Sequence, residues 1–377
     1  MKQQTIPLGR ILGIPIGLDY SWFLIFIVLT WSLAASYYPA EFKQWSTLQY
    51  WVVGAVTAVL LFVSVLLHEL GHSVIALRYK IPVRSITLFI FGGVAQIASE
   101  PPSATAEFWI AIAGPIVSFA LAALFGLAQP MVAGFSPLFA LAKYLAYING
   151  TLGLFNLIPG FPLDGGRVFR AIVWGITHSL RRATLVAATV GRVIAFLFIL
   201  FGVWQMFAGN LIGGLWIAFI GWFLESAANS QVQQQTTHDL LYGHKVSQAM
   251  NRNYTVIPDN ITLQELADEH ILGSGRRFFI VDGTGNEVQG VLTLGSVKDV
   301  PRSEWLHTTA AQTMIPATKM NWVQPDTDLW DAVEKMDRDG VNQLPVMLDG
   351  QIQGVLSRED VIGFLHSVRE ARRDFST

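Results

Sequence analysis

The chain has 377 residues, 52% of them hydrophobic and only 14% charged, with a formal net charge of -2. Soluble globular proteins carry about 25% charged residues, so much of this chain is built for an environment other than water, and its charge gives no basis for nucleic acid binding. It has no cysteine, which excludes disulfides and thiolate metal sites and leaves His and carboxylates to hold any metal.

Charged residues are scarce from about 20 to 226 and ordinary in frequency from about 237 onward. This contrast predicts a polytopic α-helical membrane protein carrying a soluble α+β tail. The N-terminus lacks the apolar core and cleavage site of a signal peptide, so the first apolar run is expected to be a retained helix. Six apolar segments, near 19–38, 50–77, 106–129, 138–158, 185–208 and 210–227, approach the roughly 20 residues needed to cross a bilayer. Lys2, Arg10, Arg78, Lys80, Arg84, Arg167, Arg170, Arg181 and Arg182 fall on one side of these spans; Lys43 and Lys143 fall on the other. The positive-inside bias predicts cytoplasmic N- and C-termini. Between the second and third spans, "VRSITLFIFGGVAQIAS" is rich in β-branched and aromatic residues around Gly92-Gly93 and predicts a membrane-associated β-hairpin.

After Glu225 a polar, glutamine-rich stretch reads as a linker or a helix leading out of the membrane. Beyond it the chain repeats. "VSQAM" (246–250) returns as "AAQTM" (310–314) and "VQGVLTLGSV" (288–297) as "IQGVLSREDV" (352–361), a period of about 64 residues with an insertion at "GTGNE" (283–287). Each copy is expected to need the other to complete its core. The domain boundaries so predicted are 1–226 for the membrane part, 227–243 for the linker, and 244–303 and 304–377 for the two repeats.

The chemistry concentrates in "VLLHELGHSV" (65–74), which places His68, Glu69 and His72 inside an apolar span. Residues i and i+4 share a helix face, so both imidazoles can reach one metal ion while Glu69 acts as general base on a water the metal polarises. Ionisable side chains within a span are costly unless paired or metal-bound. His68 lies ten residues before Arg78, roughly 15 Å along the helix, which puts the site inside the membrane nearer the cytoplasm. Gly71, unfavourable in a helix, suggests close packing against a neighbour or substrate. A third ligand is required. Asp19, Glu107 and Glu225 sit at span ends, where interfacial charges are ordinary. Asp164 follows Pro159 and Pro162 and precedes Gly165-Gly166; prolines break the helix and glycines permit close backbone approach, so Asp164 is expected to be the third ligand. Asn156, in the same apolar run, suits either a substrate amide or a neighbouring helix.

With "HELGH" (68–72) and "NLIPGFPLDGG" (156–166), supported by "GGVAQI" (92–97), "AGPIVS" (113–118) and "GIPIGLDYSWFL" (13–24), residues 8–226 resemble the site-2 proteases, the M50 intramembrane zinc metalloproteases. The resemblance implies one Zn2+ per chain on His68, His72 and Asp164, Glu69 as general base, and Asn156 positioning substrate. It also implies that the strand around Gly92 and Gly93 holds an unwound substrate helix by strand addition. The substrates implied are single-span membrane proteins such as anti-sigma factors or membrane-tethered regulators, cut in a bacterial or archaeal plasma membrane. Ser118 stands where many members have Asn, and Asp19 where many have His; neither is expected to touch the metal shell.

Residues 244–368, through "NQLPVM" (342–347) and "GVLSREDV" (354–361), resemble a tandem CBS pair, or Bateman module. That implies an adenine nucleotide such as ATP or AMP contacted by Ser357 and Asp360, with Thr293 the counterpart in the first copy, where Ser296 replaces the Asp. It further implies regulation by the module and homodimerisation through it. Two other functions fit a membrane chain with this tail. A CBS-regulated transporter is disfavoured because the spans show no internal repeat; a metal-stabilised, non-catalytic scaffold would have no use for Glu69.

Overall fold

The computed structural model describes residues 5–272, 276–283 and 288–374. Lys2 and all but Gly283 of the "GTGNE" insertion lie outside them. The chain divides into two compact units, Met1–Gln235 and Thr236–Thr377.

The first unit opens with a hairpin the sequence did not announce, β1 (Thr5–Ile11) paired antiparallel with β2 (Ile14–Asp19). Asp19 accepts from the backbone N–H and hydroxyl of Ser21 at 2.9 and 2.6 Å, so it fixes the start of the first span and lies outside the metal cluster. Those bonds, the hydroxyl's above all, lower its pKa. Among the described residues six helices are long and apolar enough to cross a membrane. They are α1 (Ser21–Glu41), α2 (Thr47–Arg78), α3 (Ala104–Val132), α4 (Ser136–Asn156) and, beyond a shorter α5 (Asp164–Thr177), α6 (Leu180–Phe207) and α7 (Leu211–Leu241). Ser46 caps α2, its hydroxyl accepting from Gln49 N while the Gln49 side chain accepts from Ser46 N. The glutamine-rich stretch after Glu225 continues α7 as helix to Leu241.

The expected hairpin is present as β3 (Val83–Phe89) and β4 (Gly92–Ile97), with Leu88 opposite Gly93 and Ile86 opposite Ala95. Strand β2 runs parallel to β3, giving a four-stranded sheet in the order β1-β2-β3-β4. Ile14, Ile16 and Ile86 of this sheet bury against Leu70 of α2. One face of the HExxH helix therefore carries the sheet, and β4 is left as an edge strand beside it. At the hairpin turn, Phe91 stacks on Phe223 of α7 with ring centroids 5.0 Å apart.

Pro159 and Pro162 separate α4, which ends at Asn156, from α5, which begins at Asp164. A Cβ at Gly165 would collide with the Leu157 and Ile158 backbone, and one at Gly166 with Gly160 and Phe161. The glycine pair thus lets the new helix fold directly onto the loop that precedes it.

In the second unit each copy is completed by the other. Ile315, just past the second copy's methionine, pairs with Val291 of the first, and Asn251 pairs with Val355 of the second. Val246 N donates to Thr327 O at 3.0 Å, and Ala310 N to Ile261 O at 2.9 Å. The glycine of the repeated "QGVL" has its reason here: a Cβ at Gly354 would lie 2.8 Å from Asn251 O, and one at Gly290 would strike Ile315 O. The two cores gather around Leu329, Met336 and Leu356 and around Leu263, Phe279 and Leu292.

Candidate metal centre

Three side chains from two helices converge on one point. Helix α2 presents His68 and His72, one turn apart, and the first residue of α5 presents Asp164. Both imidazoles are buried, at 3% and 4% exposure. Asp164 Oδ2 lies 3.1 Å from His68 Nε2 and 3.2 Å from His72 Nε2, and the three ligand atoms lie within 4.8 Å of one another. Ligands about 2.0–2.1 Å from a tetrahedral zinc ion are separated by roughly 3.3 Å. The donor set, two nitrogens and a carboxylate oxygen, therefore fits zinc in kind and spacing.

What lies behind the ligands was not legible as a group in the sequence. His72 Nδ1 faces the Ile110 carbonyl at 2.7 Å and His68 Nδ1 faces the Ser118 hydroxyl at 2.8 Å. Contrary to the expectation from sequence, Ser118 is in direct contact with a ring of the metal shell. It is fully buried on α3, which packs against α2. Between Ile110 and Ser118, Gly114 lies so close to both rings that a Cβ there would overlap their Nε2 edges. Gly71 serves the same approach from α2, since a Cβ would meet Ala113 O at 3.0 Å and Val117 at 2.9 Å. The neighbour that Gly71 implied is thus α3.

Glu107 and Arg170, which the sequence presents as interfacial charges, are buried together. Arg170 Nε donates to Glu107 Oε1 at 2.6 Å, and its terminal nitrogen pairs with the same oxygen. Arg167 Nε lies 4.0 Å away, and the Arg170 guanidinium sits 5.3 Å over the Phe161 ring. The opposite charges on two apolar segments were the available signal. Their pairing clamps α5, and with it Asp164, to α3. Glu225 is not in the cluster; it accepts from Asn229 at 3.4 Å.

Glu69 points away from the imidazoles' support and toward β4. Its Oε2 accepts from Ala95 N at 3.1 Å, and a Cβ at Gly93 would stand 2.7 Å from its Cγ. Gly92 adopts φ +128°, a conformation open to glycine. Gly93 therefore brings the edge strand against the carboxylate, while Gly92 closes the turn that leads into it. Asn156 Nδ2 lies 3.4 Å from His68 Nε2, so the end of α4 also reaches the centre.

In the soluble unit Ser357 and Asp360 bond to each other. Asp360 Oδ2 accepts from Ser357 N and Oγ at 2.9 and 2.6 Å, and Ser357 Oγ accepts from Asp360 N at 3.1 Å. Thr293 caps the corresponding helix of the first copy by accepting from Ser296 N at 3.2 Å. Thr293 also lines a cavity of about 650 Å3 together with Arg277, Lys298, Lys319 and Arg358. Ser357 and Asp360 are absent from that lining.

Comparison with known proteins finds family matches in both units. Peptidase family M50 matches residues 56–140 and 132–200, and the CBS domain matches 246–302 and 313–367. Rip3 of Mycobacterium tuberculosis is 34% identical over 374 residues, covering 98% of this chain and 95% of that protein. The Synechocystis protein sll0528 is 35% identical over 366 residues, covering 96% of each. Among solved structures, the site-2 protease from Methanocaldococcus jannaschii is 33% identical and covers 60% of this chain and 95% of that one, with a TM-score of 0.43.

Proposed function

The chain belongs to peptidase family M50 and is a multi-pass membrane zinc metalloprotease with two CBS domains; from that premise we propose how its residues divide the work. His68, His72 and Asp164 hold the zinc ion, Glu69 is the general base and Asn156 orients the scissile peptide. The observation that carries this reading is the meeting of both Nε2 atoms at Asp164 Oδ2, with Glu69 turned to a strand edge beside them. Zinc, when bound, lowers the pKa of water toward neutrality and polarises the peptide carbonyl. Glu69 would take the proton of the attacking water as the water oxygen bonds to the carbonyl carbon, and would return a proton to the amide nitrogen as the C–N bond breaks. The Asn156 side-chain amide, close to His68 Nε2, is placed to donate to the carbonyl oxygen as its charge grows.

A peptide bond inside a helix has its carbonyl engaged and its flanks covered. The β4 edge, with Gly92 and Gly93 keeping it free of side-chain bulk beside Glu69, offers backbone partners to a substrate unwound into a strand. The protease acts on membrane proteins; the proposal extends to single-span substrates of the anti-sigma factor or tethered-regulator kind. It places the site in a bacterial or archaeal plasma membrane with both termini in the cytoplasm. A transporter or scaffold leaves unexplained why Glu69 bonds to the β4 edge. The test is Glu69→Gln in the full chain with a co-expressed single-span substrate. Cleavage is expected to fall by about 10²–10⁴-fold while the zinc content stays at one per chain; unchanged cleavage overturns the assignment.

The soluble unit supports a regulatory reading. The basic cavity beside Thr293 suits the phosphates of ATP or AMP, whereas Ser357 and Asp360 do not line it, so Thr293 rather than that pair is the better contact. Dimerisation through the CBS pair belongs to the same reading. Calorimetric titration of the full chain with ATP and AMP tests it: binding weakened by Lys298→Glu supports the cavity, and binding lost only with Ser357→Ala points to the motif pair instead.

A further inference from the structure

We propose that Ser118 is a positioning residue of the metal centre, selecting the tautomer in which His68 can bind zinc. The proposal rests on the ligand assignment above. An imidazole binds metal through a bare nitrogen, so zinc at Nε2 requires the proton on Nδ1. For His72 the fold settles this without choice. Its Nδ1 faces the Ile110 carbonyl at 2.7 Å, and a carbonyl can only accept, so Nδ1 carries the proton and Nε2 is free. His68 has no such carbonyl. Its Nδ1 meets a hydroxyl at 2.8 Å, which can donate or accept.

The groups at the other nitrogen make that choice matter. An acceptor, Asp164 Oδ2 at 3.1 Å, and a donor, Asn156 Nδ2 at 3.4 Å, both face His68 Nε2, so that end of the ring leaves the proton unassigned. A proton on Nε2 gives the tautomer that cannot bind. Ser118 accepting from Nδ1–H keeps Nε2 bare. The hydroxyl suits this role because it is fully buried, so water does not compete for it.

The positions on α3 reveal a common design. Glu107, Ile110, Gly114 and Ser118 recur at spacings of three, four and four, which places them along one helix face. Glu107 holds the helix that bears Asp164, Ile110 holds His72, Gly114 admits both rings and Ser118 holds His68. One face of a helix that contributes no ligand thus sets all three ligands, and Ser118 is its most exchangeable part.

The test compares wild type, Ser118→Ala, Ser118→Thr and Asp164→Ala as full chains in detergent. Zinc affinity is measured by competition with a chelator, and ligand geometry by the absorption spectrum of the cobalt-substituted protein. Supporting groups behind metal-bound histidines typically account for about 10–100-fold in affinity. Ser118→Ala is expected to lose that much and to shift the cobalt bands, whereas Ser118→Thr, which keeps the hydroxyl, restores both. Alanine is a better helix former than serine, and an unchanged melting temperature of the metal-free protein shows that packing is not the cause. The proposal is overturned if Ser118→Ala binds zinc as tightly as wild type with the same cobalt spectrum while Asp164→Ala loses the metal. If Asp164→Ala also keeps it, the ligand set is wrong and the proposal falls with it.

Discussion

The two units of this chain use buried polarity in opposite ways. In the membrane unit His68, His72, Glu107, Ser118 and Arg170 are all buried, each bonded to a partner from another element or loop, and together they surround one point. In the soluble unit the cores are apolar, and motif residues such as Ser357, Asp360 and Thr293 bond to their own helix starts. Those bonds close within one turn, even at the buried Ser357, so a polar motif there can serve the fold alone. In hydrocarbon every polar group must be satisfied within the protein, and a polar residue at depth therefore reports a specific partner. The difference teaches that the same kind of sequence signal, a short motif with an acid and a small polar residue, merits a functional reading sooner in a span than in a soluble repeat.

That contrast can be broken at several places. The largest effect is expected from Glu107→Ala, which strands the Arg170 guanidinium in the interior. Removing one partner of a buried pair costs about 3–5 kcal/mol, to be read as earlier unfolding of the purified chain in detergent. Wild-type stability in that variant would mean that the buried pair is not the clamp described here. Gly93→Val comes next, because its Cβ would stand 2.7 Å from Glu69 Cγ and 3.2 Å from Val65 Cγ1. A displacement of about 1 Å at a reacting group lowers turnover roughly 10²-fold, so cleavage should drop with zinc content unchanged.

In the soluble unit, Gly354→Val forces a Cβ against Asn251 O, and overpacking costs about 1–3 kcal/mol. The expected signature is unfolding of the CBS pair with full metal content in the membrane unit; loss of metal would mean that the metal centre depends on a folded CBS pair. The smallest effect concerns Glu265, whose pKa is held below 4.5 chiefly by the Thr262 backbone N–H and then by its hydroxyl. A carboxylate with a depressed folded pKa contributes stability that is present above 4.5 and lost as pH falls through the folded value. Amide exchange at Leu263–Leu266 should therefore speed up on acidification relative to Glu265→Gln, and parallel profiles would remove the effect.

The sequence made a good deal of the site legible because membrane chemistry is unforgiving. HELGH in a span demanded a third ligand, and the proline-broken Asp-Gly-Gly supplied a candidate that the fold brings to within 3.2 Å of both rings. The β3-β4 hairpin was readable from its β-branched residues and glycines. The β1-β2 hairpin was not, since its strands hold Pro7 and Pro15 and join the larger sheet only by pairing with β3, about 70 residues further on. Ser118 stands out in the sequence only as a departure from the resembled family, although its spacing from Glu107 already places the two on one helix face.

By itself, then, the sequence determined the spans, the metal-binding type and the repeat, because hydrophobic length, i/i+4 spacing and self-similarity are local properties. Tertiary structure alone decided which nitrogen of each histidine is tied, which strand edge faces Glu69, and that Glu107 and Arg170 are partners. These depend on how α3 lies against α2 and α5, and helix packing is fixed by contacts between segments that no single segment encodes.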